Sequence, residues 1–306
     1  MEHRTARTPR LTRRINQSDT PNRRESMSIY TNTPGAQGVL PDEYGALVEK
    51  PVQELSLAMQ VGTIVPTGST RYRVPLLASD VTVGAVEEGA EITPSDVKFD
   101  EIVVTPAKFA GLTVISREMA EDSSPSAGDQ VGRSIARQIA NSVDNALLNK
   151  LTAPNPSGLA ALDGISKVSA PVTYTNLDPL EEALSLSEAA GGNITAWVMS
   201  AATTLELAKL KDQANSNRGL LNSDMTAVGR RQILGRPVFV SPYAPADVVY
   251  GISRADMLTV VREGTRLDVD KSVYFTSDRV AVKGTMRVGF AFPVAGAHVM
   301  IQNAAK

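Results

Sequence analysis

The chain has 306 residues, no cysteine, two histidines and one tryptophan, with 42% apolar and 21% charged residues. This is an ordinary globular composition, with enough apolar surface to offset ordering entropy, so a wholly disordered chain is excluded. The absence of cysteine removes disulfides, thiolate metal sites and cysteine nucleophiles together, two histidines (His3 and His298) leave little for an imidazole cage or triad, and a net charge of −2 does not suit a nucleic-acid binder.

The charge is uneven along the chain. Residues 1–26 hold seven arginines against Glu2, Asp19 and Glu25, a net of +4, and the remaining residues carry −6. With so few apolar residues the first segment cannot bury itself, and a basic disordered extension is expected. It reads either as a solvated tail, or leader before a second start at Met27, or as a basic arm for nucleic acid or an acidic scaffold. No apolar core follows the arginines, so a secretory signal is not expected. The longest uncharged run, Val288 to Ala305, contains Gly289, Pro293, Gly296 and His298 and fails as a membrane helix. A soluble protein made in a reducing compartment is the expectation.

Residues 28–46, rich in Gly, Pro, Asn and Ser, predict an extended arm. A short helix is expected over 42–60, broken at Pro51 into one piece or two. Ile64-Val65 and then Arg71-Tyr72-Arg73-Val74 read as strand, the acidic stretch 78–94 as a polar tip, and Phe99 to Ile115 as strand again. Two strands about such a tip make a long hairpin, marginal alone in water, so it is expected to lie on something, for which a neighbouring subunit is a good candidate.

Residues 116–122 suggest a short helix. A long one follows over about 126–151, with apolar residues at 131, 135, 139, 143 and 147. At about 1.5 Å per residue it is roughly 35 to 40 Å long. Asp144 flanks the stripe and is expected to form a salt bridge at its rim. Beyond Pro154, Pro156 and Gly158 the character alternates. Asp178-Pro179-Leu180-Glu181 predicts a helix start with Asp178 as its cap, and Gly191-Gly192 a stop. A strand over 194–199 contains Trp197, Ser200 caps a second helix, and 212–230 reads as loop. Strands are expected at 232–234, 238–240, 248–252, 258–261, 267–269, 273–275, 280–282, 287–292 and 299–301. The last of these most simply rejoin the earlier β layer, making the α/β insert a second lobe.

Chemistry is sparse. There is no Walker-type phosphate loop, no HExxH and no GxSxG. Gly284 and Gly289 read as turns between strands. Glu87-Glu88 and Glu181-Glu182 are adjacent in sequence, and adjacent residues do not face each other on a strand or a helix. His298 reads as a packed or interface histidine. No cofactor and no metal are expected, and the work falls to surfaces.

The order of parts carries a resemblance. Arg71-Tyr72-Arg73-Val74-Pro75, Val86-Glu87-Glu88-Gly89-Ala90 and the run from Phe99 to Lys108 lead into Val114-Ile115-Ser116-Arg117-Glu118. Asp122 precedes the long helix that ends in Asp144-Asn145-Ala146-Leu147-Leu148. Trp197-Val198-Met199-Ser200, Leu234-Gly235-Arg236-Pro237-Val238, Tyr250-Gly251-Ile252-Ser253 and Val280-Ala281-Val282 to Arg287-Val288-Gly289 complete the series. Each stretch is unspecific by itself. In this shared order, over roughly residues 38–303, the chain resembles tailed-bacteriophage major capsid proteins of the Hong Kong 97-type fold.

The resemblance implies an α+β fold with an N-terminal arm, an extended β-hairpin loop, a peripheral domain with a long spine helix, and an α/β axial domain. The boundaries it implies are 1–26 for the extension, 27–61 for the arm and short helix, 62–107 for the hairpin loop, 108–157 with 252–288 for the peripheral domain, and 158–251 with 289–306 for the axial domain. It implies a non-enzymatic shell subunit that forms hexamers and pentamers of an icosahedral phage head around double-stranded DNA, bound without sequence specificity. The subunit would be assembled in the host bacterial cytoplasm and end in the virion. A separate scaffold protein, a portal and a decoration protein are the implied partners, with no membrane. Inter-subunit ion pairs are expected between Arg71, Arg73, Glu87, Glu88 and Glu91 on the hairpin and Arg117, Glu118, Arg133 or Arg137 near a neighbour's helix.

Some relatives weld their subunits through a hairpin lysine and an asparagine. Here Leu77 to Ser95 has no lysine, Lys98 lies down the strand, and Asn303 is the only asparagine after Gly251, so a non-covalent shell is expected. The rival readings are an encapsulin-like, protein-filled compartment and a carboxylate-dependent hydrolase.

Overall fold

The computed structural model describes residues 55–79, 83–86, 89, 98–118, 127–211, 213 and 231–304. The expected arm, most of the hairpin's polar tip, most of the 212–230 loop and most of the short helix at 116–122 lie outside them. Of the helix expected over 42–60, the described part is α1 (Leu57–Val61). Next come β1 (Thr63–Pro66), β2 (Tyr72–Ser79), β3 (Lys98–Val104) and β4 (Ala107–Ser116). The long helix is α2 (Ala127–Leu148). The α/β region then supplies β5 (Ser166–Ala170), α3 (Asp178–Ala189), β6 (Ala196–Met199), α4 (Ala201–Ala208), β7 (Gln232–Ile233), β8 (Arg236–Val240) and β9 (Val248–Ile252). The chain finishes with β10 (Leu258–Asp270), β11 (Arg279–Ala291) and β12 (Val299–Asn303).

These strands form three sheets: four strands in the order β1-β10-β11-β4, six in the order β5-β12-β9-β6-β8-β7, and the two-stranded hairpin β2-β3. Late strands β10 and β11 thus sit between early strands β1 and β4. Helix α2 buries Ile135, Ile139, Val143 and Leu147, with Ala136, Ala140 and Ala146 between them, against β4 and β11. Fully burying a side chain such as Leu147 contributes about 1.5 to 3 kcal/mol. The same apolar cluster reaches Val198, Val248, Tyr250 and Ile252 of the six-stranded sheet, so one core joins the two larger sheets. Tyr250 donates its hydroxyl to the Leu148 carbonyl at 2.8 Å, and the Asn149 amide donates to the Tyr243 carbonyl at 2.9 Å, fixing the end of α2 on that sheet. Trp197, Met199, Val249, Val299 and Ile301 of the six-stranded sheet pack in a second core with Leu180 and Leu184 of α3 and Leu207 of α4.

Several elements depart from expectation for physical reasons. The strands expected at 258–261 and 267–269 are one strand, β10, because register shifts between Val261 and Glu263 and between Glu263 and Arg266 absorb the residues that break alternation. The strands expected at 280–282 and 287–292 are likewise the single strand β11. Gly284 and Gly289 are therefore not turns: they lie inside β11, where a Cβ on Gly284 would stand 2.3 Å from Ile135 Cγ2 and one on Gly289 2.7 Å from Val104 Cγ1. They let α2 and the hairpin root approach the sheet closely. Val273–Phe275 is no strand. A 3-10 turn, Phe275–Ser277, followed by Asp278 in the left-handed region (φ 49°), reverses the chain there.

At α3 the capping position is Leu177, without a side-chain bond, and Asp178 begins the helix itself. Its end is as expected: Gly191 (φ 77°) donates to the Glu188 carbonyl at 2.9 Å and Gly192 to the Ser187 carbonyl at 2.8 Å, a pairing that needs the left-handed residue glycine supplies. Ser200 caps α4 by accepting from the Thr203 amide at 3.2 Å.

Asp144 corrects the rim salt bridge. It is 7% exposed, and its carboxylate accepts from the Ser56 hydroxyl at 2.8 Å, the Leu57 amide at 3.0 Å and the Ala58 amide at 3.1 Å. Ser56 holds the capping position of α1 without capping it, and a carboxylate from α2 takes over that task. Burial pushes the Asp144 pKa above the ordinary carboxylate value, and the three donors reverse this only in part. Since the folded value lies above the unfolded one, this titration adds stability at low pH that is lost as pH rises through the folded value. Asp144→Ala leaves two amides and a hydroxyl without their buried acceptor and is expected to cost about 1 to 3 kcal/mol in urea unfolding. Asp144→Asn should cost less and should not show the loss on raising pH above about 4. An alanine variant as stable as the natural chain would refute the cap.

Candidate assembly surface

The hairpin is the least self-sufficient element. Tyr72 pairs with Val104, Val74 with Ile102 and Pro75 with Glu101. Alternation places Tyr72, Val74, Ile102 and Val104 on one face and Arg73, Pro75, Phe99, Glu101 and Val103 on the other. The first face closes over Val260 and Ala291, with Val74 and Val104 buried. On the second, Phe99 is 74% and Val103 45% exposed. An antiparallel pair normally turns one apolar face inward and a polar face to water. Here the uncovered face sets Phe99 and Val103 beside the exposed Arg73–Glu101 pair, so it carries apolar groups that the chain does not cover.

The charged residues singled out in the sequence fall at the hairpin's base, after β4 and on α2. Arg71 is exposed just before β2, and Arg73 pairs within its own chain with Glu101 across the hairpin, at 2.9 and 3.2 Å. Arg117 lies 3.3 Å from Asp278. Glu118 is exposed after β4, and Arg133 and Arg137 are exposed one turn apart on α2. Glu87, Glu88 and Glu91 lie outside the described residues. Sequence reasoning missed Glu101 and Asp278. The hairpin register would have flagged Glu101, which sits diagonally across from Arg73, but Asp278 becomes a neighbour only when β11 pairs with β4. Exposed pairs of this kind are worth about 0 to 1 kcal/mol.

Other apolar groups reach the surface. Leu112 on the edge strand β4 is 64% exposed, and Val273 and Phe275, in the turn between β10 and β11, are 64% and 81% exposed. A groove of about 630 Å³ between β4 and α2 is lined by Lys108, Phe109, Leu112, Gln138, Ser142 and Asn145 among others.

His298 is a packed core group. Its ring is fully buried, edge-on to Phe292 with centroids 5.3 Å apart, and burial holds its pKa below the ordinary imidazole value against the opposing pull of Asp256. Asn303 is buried in β12, and Lys98 opens β3. Among the described residues, no group of three or more His, Asp or Glu could hold a metal ion, and no helix is long and apolar enough to cross a membrane.

Comparison with known proteins gives the family and the fold. The model of the phage capsid family matches residues 36–302. No curated protein sequence matches the chain. Among solved structures, that of Mycobacterium phage Adephagia superposes with a TM-score of 0.68 at 16% identity, covering 82% of this chain and 91% of its own. That of Microbacterium phage Oxtober96 gives 0.68 at 17% identity, covering 81% and 91%. The capsid of a native GTA particle gives 0.64 at 19% identity, covering 80% and 89%. With its α+β fold of the Hong Kong 97 type and a family match over most of its length, the chain belongs to the phage capsid family and is a capsid shell subunit.

Proposed function

We propose that this chain is a major capsid protein that self-assembles into hexamers and pentamers of an icosahedral phage head around double-stranded DNA. The observation that supports this best is the hairpin, whose outer face leaves Phe99 and Val103 in the open beside the Arg73–Glu101 pair. Burying two such side chains on a neighbour would contribute about 1.5 to 3 kcal/mol each. A heterologous contact of this kind, repeated around a ring, closes when the rotation fits. Many modest contacts per particle then add up to an avid assembly.

In this reading residues 62–107 reach over a neighbour, and the arm within 27–61 lies on another. Residues 108–157 and 252–288 form the peripheral domain, and 158–251 with 289–306 form the axial domain at the ring centres. Arg71, Arg73, Glu87, Glu88 and Glu91 pair across the interface with Arg117, Glu118, Arg133 or Arg137, and Arg73 and Arg117 exchange or share their present partners. A net charge of −6 beyond residue 26 suits a container whose wall must not bind its genome. The chain performs no catalysis and needs no cofactor. It works with a separate scaffold, a portal and a decoration protein, and is assembled in the bacterial cytoplasm.

Negative-stain microscopy and light scattering of the purified product test this reading. Shells containing DNA are expected, protein-filled shells would favour a compartment, and a compact monomer at high concentration would defeat both. The double variant Phe99→Glu, Val103→Glu should keep its unfolding midpoint and yield few or no shells. Normal shells from it would remove the outer hairpin face from the interface. Boiled particles on a denaturing gel should run as single-chain bands, whereas a ladder of oligomers would mean covalent joining.

A further inference from the structure

The chain passes between the four- and six-stranded sheets at two late crossings, from β9 to β10 through Ser253–Met257 and from β11 to β12 through Phe292–His298. His298 ties the two together. Its Nδ1 accepts the Ser253 amide at 3.3 Å, and its Nε2 lies 3.0 Å from the Asp256 carbonyl. A carbonyl only accepts and an amide only donates, so this geometry calls for the neutral ring with its proton on Nε2. The His298 carbonyl also accepts from the Ser166 amide of β5 at 3.1 Å.

The first crossing is itself a hub. The Arg254 carbonyl accepts the Thr63 hydroxyl at 2.8 Å, the Met257 carbonyl accepts the Thr63 amide at 2.8 Å, and the Arg254 amide donates to the Thr195 hydroxyl at 3.1 Å. Beginnings of β1 and β10 and the approach to β6 therefore hang on the segment that His298 holds.

We propose that His298 is an acid-sensitive pin between the two sheets, closed while its ring is neutral and released when the ring takes a second proton. Protonation puts a donor on Nδ1 facing the Ser253 amide, also a donor, and brings a charge into a fully buried site beside Phe292. The Asp256 carboxylate faces the ring from the same crossing, but its Oδ2 is already taken by the Ser253 hydroxyl at 2.6 Å. Arg254 on that crossing and Lys167 on β5 are exposed to solvent. A ring whose folded pKa is lowered gives up stability as pH falls below the ordinary value of about 6.5. The freed segment is Ser253–Met257, and the sheets gain room to shift about it. This device rests on the fold alone and stands apart from the shell reading, because it operates within one subunit.

The test is hydrogen exchange by mass spectrometry on the unassembled full-length chain, corrected for intrinsic rates, together with NMR titration of the His298 ring. Between about pH 7.5 and about pH 5, protection in 253–257 should fall severalfold, while β4 and β11 hold theirs. His298→Gln, which cannot charge, should show equal protection at both pH values. Unchanged protection in the natural chain, or the same loss in the glutamine variant, would overturn the pin. If the variant fails to fold, the midpoints decide: protection loss coinciding with the ring titration supports the pin, and midpoints more than about one pH unit apart overturn it.

Discussion

Everything in this fold leans on the apolar stripe of α2. Ile135, Ile139, Val143 and Leu147 lie on β4 and β11, and the same cluster runs on into Val198, Val248, Tyr250 and Ile252 of the other large sheet. One helix thus supplies the surface on which two sheets of different topology are joined. Packing this close tolerates no extra atoms, and β11 answers with glycine at 284, beneath Ile135. The Tyr250 and Asn149 hydrogen bonds then fix where the helix ends relative to the six-stranded sheet.

The second consequence of α2 is Asp144. A carboxylate in a dry site is costly unless its lone pairs are filled. Here they are filled by the amides at the start of α1 and by Ser56. The helix that leads into β1 is thereby held by a group nearly ninety residues further along the chain.

The hairpin follows a different rule. Its root is closed by Val74 and Val104 on Val260 and Ala291, and Gly289 permits the approach. Its other face leaves Phe99 and Val103 open to solvent beside charged groups. The described ion pairs, Arg73–Glu101, Arg117–Asp278, Arg266–Asp268, Lys283–Asp268 and Arg287–Glu263, are formed within one chain and partly exposed. Such pairs contribute little to holding the monomer together, so their charges can be re-paired at small cost when another surface arrives. In the assembly proposed above, apolar burial on the hairpin supplies affinity and charge chooses register.

Local pattern sufficed for elements whose signal is carried by a few consecutive residues. The four-residue recurrence that makes α2, the alternation that makes β2 and β3, Ser200 as a cap and Gly191-Gly192 as a stop were all legible, because each is a property of a short stretch of chain. The order of motifs was legible as well, and with it the family. What no local pattern contained was the identity of distant neighbours. Asp144 looked like a rim charge because its partners lie more than eighty positions away. Gly284 and Gly289 looked like turns because only the approach of α2 and the hairpin root explains a missing side chain in mid-strand. The halves of β10 looked separate because a bulge breaks alternation without breaking the ladder. Periodicity reports which face of an element is apolar, whereas tertiary packing decides what that face meets and which polar groups are trapped beside it.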